Sequence, residues 1–211
     1  MFVHYIEMMK GSRTPVIRPR GRPREFDMDQ ALDGALLLFR ERGYHETSLS
    51  ELGQAMKLAP GSIYKAFKDK REIFLAALER YTKVRHDALE VVLAKGRTGK
   101  EKLEAALFFL GETSYGDEGK VGCLVVGSTA DISTFDPEVS FCVSAAAKRM
   151  ESLFLNLVVL GQADGSLAKT IDAAVTANTL FCFAQGLRVV GKIGRTRSQM
   201  TATIHQVLGL F

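Results

Sequence analysis

The fold of this chain turns on TSLSELGQAMKLAPGSIYKAFKDK, residues 47–70. Ser48 and Glu51 have capping-box spacing: the serine hydroxyl takes the backbone N–H of the glutamate, and the carboxylate takes that of the serine. Leu49, Leu52, Ala55 and Met56 follow as one short apolar stripe, which predicts a helix of about two turns. After a turn at Lys57 to Ala59, Pro60 suits a first helical turn, where its missing N–H and fixed φ do no harm. The second short helix then runs to Phe67, with Ile63 and Phe67 turned inward at i, i+4 and Tyr64 and Lys65 turned out. Two stubby helices and a tight turn are first of all a packing motif. This pair carries more, because Gly61 and Ser62 are small enough for close approach and five basic residues lie between Lys57 and Arg71. An exposed aromatic hydroxyl among lysines suits phosphate groups.

Working outward, Asp27 is the N-cap of a preceding helix, with Gln30 placed to close a capping box and Phe26 to act as a hydrophobic staple. Ala31, Leu32, Ala35, Leu36 and Phe39 give that helix its apolar face, and Gly43 ends it. Beyond the quoted stretch, Asp69 caps a long helix carrying Ile73, Phe74, Ala77, Leu78, Tyr81 and Val84 towards Ala94. Further helices are predicted over 101–113, 121–133, 137–160, 167–190 and 197–208, with glycine-rich breaks between them. Asp136 and Pro137 are a good helix start. No stretch alternates with period two for long, so the predicted fold class is all-α.

The 211 residues carry a net charge of +4, and position matters more than the total. Residues 1–95 hold 17 basic and 13 acidic side chains, whereas 96–211 hold 11 of each. The excess thus lies where a polyanion would be met. No run approaches the roughly 18 apolar residues of a membrane span, the longest candidates being broken at Gly127 and Asn156. The first ten residues lack the pattern of a secretory signal, so a soluble cytoplasmic protein is expected. Cys123, Cys142 and Cys182 are odd in number and without C-x-x-C spacing, which points to free thiols in apolar sequence.

The stretch from Phe26 to Leu78 resembles the TetR family of transcriptional regulators. The resemblance rests on LFRERGY at 38–44, TSLSEL at 47–52 and PGSIYKAFKDK at 60–70. It implies an N-terminal three-helix DNA-binding domain with a helix-turn-helix, followed by a helical ligand-binding and dimerisation domain. The expected division is a flexible basic arm over 1–24, the DNA-binding domain over 25–70 and the ligand-binding and dimerisation domain over 71–211. By the resemblance, Ser48 and Ser50 touch phosphates, Pro60, Gly61 and Ser62 lie against base edges, Tyr64 and Lys70 grip the backbone, and Lys65 adds a backbone contact. Physics agrees: only groups inside the groove read donor and acceptor patterns, whereas phosphate contacts set affinity. Two departures stand out. Lys57 replaces the glycine usual at the turn, where positive φ is uncommon for other residues, and Gly53 replaces an alanine, leaving room for closer packing. The arm RPRGRPR at 18–24 resembles an AT-hook, so Arg20 and Arg22 are candidates for an A·T-rich minor groove.

For the later helices the resemblance implies a ligand-binding and dimerising body, and with it a double-stranded DNA operator read by a homodimer and released by a small-molecule effector, a ligand-responsive repressor at a pseudo-palindromic site. Gly122 to Val126 and Asp136 to Val139 look like one large subgroup of the family. Terminal apolar stripes, Ala177, Leu180, Phe181 and Ala184 with Ile204, Val207 and Leu208, are expected at the dimer interface. Phe108, Phe109, Leu124, Phe141, Met150, Phe154 and Phe183 are candidates for an apolar effector pocket. No catalytic set or metal spacing emerges among the scattered histidines, and no cofactor is implied. Gly186 to Lys192 fits the first part of a P-loop, but Ile193 stands where Ser or Thr should hold Mg²⁺ and the context is helical, so an enzyme is not expected. Two alternatives remain open: a thiol redox-sensing regulator acting through Cys123, which its Val and Leu neighbours disfavour, and a dimeric small-molecule binder without DNA binding.

Overall fold

The computed structural model describes residues 27–211, and every regular element among them is helical. The order is α1 (Met28–Arg42), α2 (Leu49–Ala55), α3 (Pro60–Ala66), α4 (Lys70–Leu93), α5 (Gly99–Glu112), α6 (Gly116–Val121), α7 (Leu124–Ala130), a 3₁₀ turn (Ile132–Thr134), α8 (Pro137–Asp164), α9 (Ala173–Gly191) and α10 (Arg197–Leu208). The expected helix over 121–133 is in fact α7 followed by the 3₁₀ turn. The short α6, rich in glycine and charge, has no apolar stripe to announce it.

The caps follow the side chains. Asp27 accepts from the N–H groups of Asp29 and Gln30, so it caps α1 through two backbone donors rather than through the box with Gln30. The staple residue Phe26 and the arm residues Arg20 and Arg22 lie outside the described residues. Gly43 closes α1 at φ +83°, a conformation L side chains avoid. Ser48 and Glu51 form the complete box at the start of α2. Asp69, Thr98, Asp136, Asp172 and Thr196 cap α4, α5, α8, α9 and α10, each accepting first-turn N–H groups.

Two cores result, joined by α4. The first gathers Leu36 and Phe39 of α1, Leu52 of α2, Ile63 of α3 and Phe74 and Tyr81 of α4 against Leu124, Val139 and Val143. The second gathers Leu89, Leu103, Leu107, Phe154, Leu180 and Ile204. The N-terminal part of α4 thus belongs to the head and its C-terminal part to the body. Glycines set two close approaches. A Cβ built at Gly34 would sit 2.1 Å from the Ala55 carbonyl oxygen, and one at Gly99 would sit 2.1 Å from the backbone nitrogen of Gly161.

One helix, Ala173–Gly191, is long and apolar enough to cross a membrane by length and composition alone. Its inner face, Ala177, Leu180, Ala184 and Leu187, is buried in the second core. The segment 186–192, with its P-loop-like spacing, lies in the last turns of this helix and at its cap, not in a phosphate-cradling loop.

Candidate nucleic-acid interface

The unit α2–turn–α3 is held from below. Leu52 is fully buried, Ile63 is 3% exposed and Phe67 8%, so the inward pair anchors α3 on α1 and α4. The turn passes through Lys57 at φ +56°, the one non-glycine residue with positive φ among those described. That is the conformation the missing glycine would have adopted freely. At Gly53 the expected close packing is absent: an added Cβ would meet only the Leu58 carbonyl oxygen at 3.6 Å and the Ile63 Cδ1 at 3.9 Å, both ordinary contacts.

The outward face is open. Tyr64 is 64% exposed, Lys65 and Gly61 are exposed, and nothing lies within 4 Å of where a Gly61 Cβ would be. Ser62 is partly exposed in the first turn of α3, which begins at Pro60. Ser50 is exposed in the first turn of α2. Ser48 is exposed too, but its hydroxyl is committed to the cap: it donates to Glu51 at 2.7 Å while taking the Glu51 N–H at 3.2 Å. The Ser48 backbone N–H and hydroxyl hold the Glu51 carboxyl below the usual carboxylate range, and Arg42 pairs with it.

Lys70 is the main surprise of this face. Its ammonium donates to the carbonyls of Tyr44 and Thr47, both at 2.9 Å, and lies 4.5 Å over the Tyr44 ring. Burial pulls its pKa down. In the free protein this lysine is a strut across the α1–α2 turn, not a free hand for phosphate. No local pattern signals this, because the carbonyls it satisfies lie more than twenty positions upstream.

The head is tied to the body at two points. Arg40 of α1, 5% exposed, donates to the Gly122 carbonyl at 2.5 and 2.8 Å and pairs with Glu118 of α6 at 2.5 Å. At the head's edge His45 contacts the Thr134 hydroxyl at 2.7 Å and stacks on Phe135, while Arg71 pairs with Glu138 at 3.0 Å.

The structure divides the expected pocket residues between two cores and the surface. Leu124 belongs to the first core, Phe154 is sealed in the second with Phe108, Phe109, Met150 and Phe183 at its margin, and Phe141 is 73% exposed. Phe108 borders only a shallow hollow with Gly111, Tyr115, Arg197 and Met200. The expected dimer stripe also needs correction: Ala177, Leu180, Ala184 and Ile204 are at most 2% exposed, so they pack within their own protomer and have no face to offer a second copy. Phe181, Val207 and Leu208 are partly buried against the same core. Helical periodicity marks an apolar face without saying which neighbour covers it.

Residues 31–77 match the model of bacterial regulatory proteins of the tetR family. A cysteine mutant of the TetR family regulator CifR, solved on a 26-base-pair operator duplex, is 32% identical, with 89% of this chain and 98% of that one covered at a TM-score of 0.78. This chain belongs to the TetR family. Among curated members, the repressor ComR of Escherichia coli is 24% identical over 92% of each chain. The regulator YezE of Bacillus subtilis is 28% identical over 82% of this chain and 90% of its own. The TetR family is one of transcriptional regulators, and the all-helical head-and-body arrangement described above is the fold that the CifR structure shares.

Proposed function

We propose that this TetR-family protein is a homodimeric transcriptional repressor that grips a pseudo-palindromic operator with the α2–α3 unit of each protomer and leaves it when an effector binds the body. The observation that carries the reading is the outer face of α3. Small Gly61 and Ser62 lead it, Tyr64 and Lys65 stand free in solvent, and Ile63 and Phe67 lock it from behind. Such a helix enters the major groove with its first residues at base edges, while the tyrosine and lysine reach phosphates. The relatives support this, CifR having been solved on operator DNA and ComR being named a repressor. In this reading residues 1–24 are a DNA-directed arm with Arg20 and Arg22 in the minor groove, 25–70 bind DNA, and 71–211 bind effector and partner. A regulator of this kind works inside the cell, where its operator is.

For the homodimer we propose a different surface from the buried stripe. On α8, Leu155 and Val159 are exposed on one face, and on the neighbouring α9 Val175 and Val189 are 64% and 56% exposed, with Cys182 and Gly186 between them. Two adjacent apolar stripes facing solvent suit a four-helix interface related by a two-fold axis. Footprinting on the DNA flanking the gene tests the whole reading. The expected result is one protected site with two related halves about one helical turn apart. Indifference to every duplex at low ionic strength overturns it.

A further inference from the structure

Between Met28 and Arg80 the chain carries four arginines and four lysines, and the structure sorts them by kind. Each arginine is paired with a carboxylate: Arg40 with Glu118, Arg42 with Glu51, Arg71 with Glu138, and Arg80 with Asp29 and Asp33. Of the lysines, Lys70 serves the carbonyls of Tyr44 and Thr47. Lys57, Lys65 and Lys68 are exposed, and their ammonium groups make no hydrogen bond or ion pair among the described residues. From Leu52 to Lys68 the chain has these three lysines and no acidic residue. The two acids just beyond Lys68 are already engaged. Asp69 accepts the Glu72 N–H at 2.9 Å as the cap of α4, and Glu72 accepts the backbone N–H of Lys68 at 2.7 Å.

Lys57 stands apart from the other two in its backbone. The Leu58 N–H donates to the Gly53 carbonyl at 2.9 Å and the Lys57 N–H to the Gln54 carbonyl at 3.0 Å, the paired bonds that end a helix through a left-handed residue. Lys57 is that residue, at φ +56°, and a glycine would hold the same turn without the steric cost. No bond of its side chain within the free molecule offsets that cost. A strained backbone kept for a side chain that is idle in the free protein is accounted for by a partner outside it. Lys57 lies three positions before Pro60 and Lys68 directly after Phe67, so the two stand at opposite ends of α3. A helix of seven residues is about 10 Å long, close to the ~12 Å width of the major groove. With α3 in the groove, cations at its two ends come near the phosphate rows on either side.

We propose that Lys57 and Lys68 are phosphate contacts of this protein, and that they, rather than Lys70, supply the ionic grip at the two ends of α3. The inference rests on the repressor reading and names the cations that hold the operator backbone. An ammonium on a flexible stem turns from water to phosphate without breaking any bond of the fold, whereas each arginine of this region would first have to leave its carboxylate. Every phosphate so neutralised releases condensed counterions, which makes the contact visible in the salt dependence of binding.

The test measures Kd for a labelled duplex of the footprinted site over a series of salt concentrations, with the full chain, beside thermal melts of each variant. Lys57→Gly is expected to raise Kd about fivefold or more at about 0.1 M salt and to lower the slope of log Kd against log salt by about 0.9, while melting no lower than the parent. Lys68→Ala lowers the slope by the same amount, and the double variant by about 1.8. Lys57→Arg and Lys68→Arg keep the parent slope, because the charge is kept. A duplex of unrelated sequence shows the same losses, since phosphate contacts carry no sequence information. A double variant whose slope stays within about 0.3 of the parent's overturns the inference. A parent protein that ignores all duplex DNA overturns the repressor reading instead.

Discussion

Between Ser48 and Phe67 polar groups find their partners three or four residues away: Ser48 with Glu51, and the Phe67 N–H with the Ile63 carbonyl. Around Cys123 the partners come from far along the chain, Arg40 reaching Gly122 over 82 positions and Arg188 reaching Tyr81 over 107. The head is therefore a local structure with a solvent-facing working surface, able to keep its shape through caps and a small core. The body buries arginines whose satisfaction depends on four helices being in register at once. A signal from body to head is best generated in the second kind of structure and read out by the first, because a network that needs all its members has two distinct arrangements when one member changes.

The contrast can be broken first at the junction. Glu118→Ala removes the carboxylate partner of the buried Arg40, and removal of one partner of a buried pair costs about 3–5 kcal/mol. Chemical denaturation should show that loss, and a change under about 0.5 kcal/mol would mean that the junction carries no load. Next, Gly34→Ala drives a methyl group into the Ala55 backbone, so α1 and α2 must part. Overpacking of this kind costs about 1–3 kcal/mol, and a fall in Tm together with weaker operator binding is expected.

Two substitutions on the head then separate grip from support. Tyr64→Ala should weaken binding to all sequences by about 1–3 kcal/mol and flatten the dependence of log Kd on log salt, as loss of a phosphate contact does. Lys70→Ala should lower affinity and thermal stability together while leaving the salt slope close to the parent's, because its donors serve the carbonyls of Tyr44 and Thr47. A salt slope reduced by about one in Lys70→Ala would show that it turns to the phosphates on binding. The smallest effects are gains. Lys57→Gly relieves the positive φ, and Gly53→Ala raises helix propensity while its methyl makes only ordinary contacts, each worth up to about 1 kcal/mol in a thermal melt.

The head was largely legible from the sequence, since each of its signals is short-range. The capping box, the apolar stripe of α2, the inward pair Ile63 and Phe67, and the strained turn at Lys57 all depend on neighbours within one or two helical turns. The errors fell where a face had to be assigned to a partner. Ala177, Leu180 and Ile204 repeat with helical period whether they meet another helix of the same protomer or a second copy. Phe141 and Phe154 are equally apolar, and only packing decides that one is 73% exposed and the other sealed. The bonds Lys70 makes in the free protein were hidden for the same reason, the carbonyls being brought to it by the return of the chain.

Cys123 marks the limit most clearly. Leu124, Val125 and Val126 beside it suggest an inert thiol, and no window of sequence contains Arg188 and Arg85, whose charges help to pull its pKa down to about 7. Periodicity and caps are properties of a segment and fix which helices form and which residues begin them. The electrostatic surroundings of a side chain are properties of the assembled space, where Coulomb interactions act over a few ångströms regardless of separation along the chain. The family, the helical class and the open outer face of α3 followed from the first kind of property, while the partners of Arg188, the Arg40 clasp and the exposed face of α8 and α9 belong to the second.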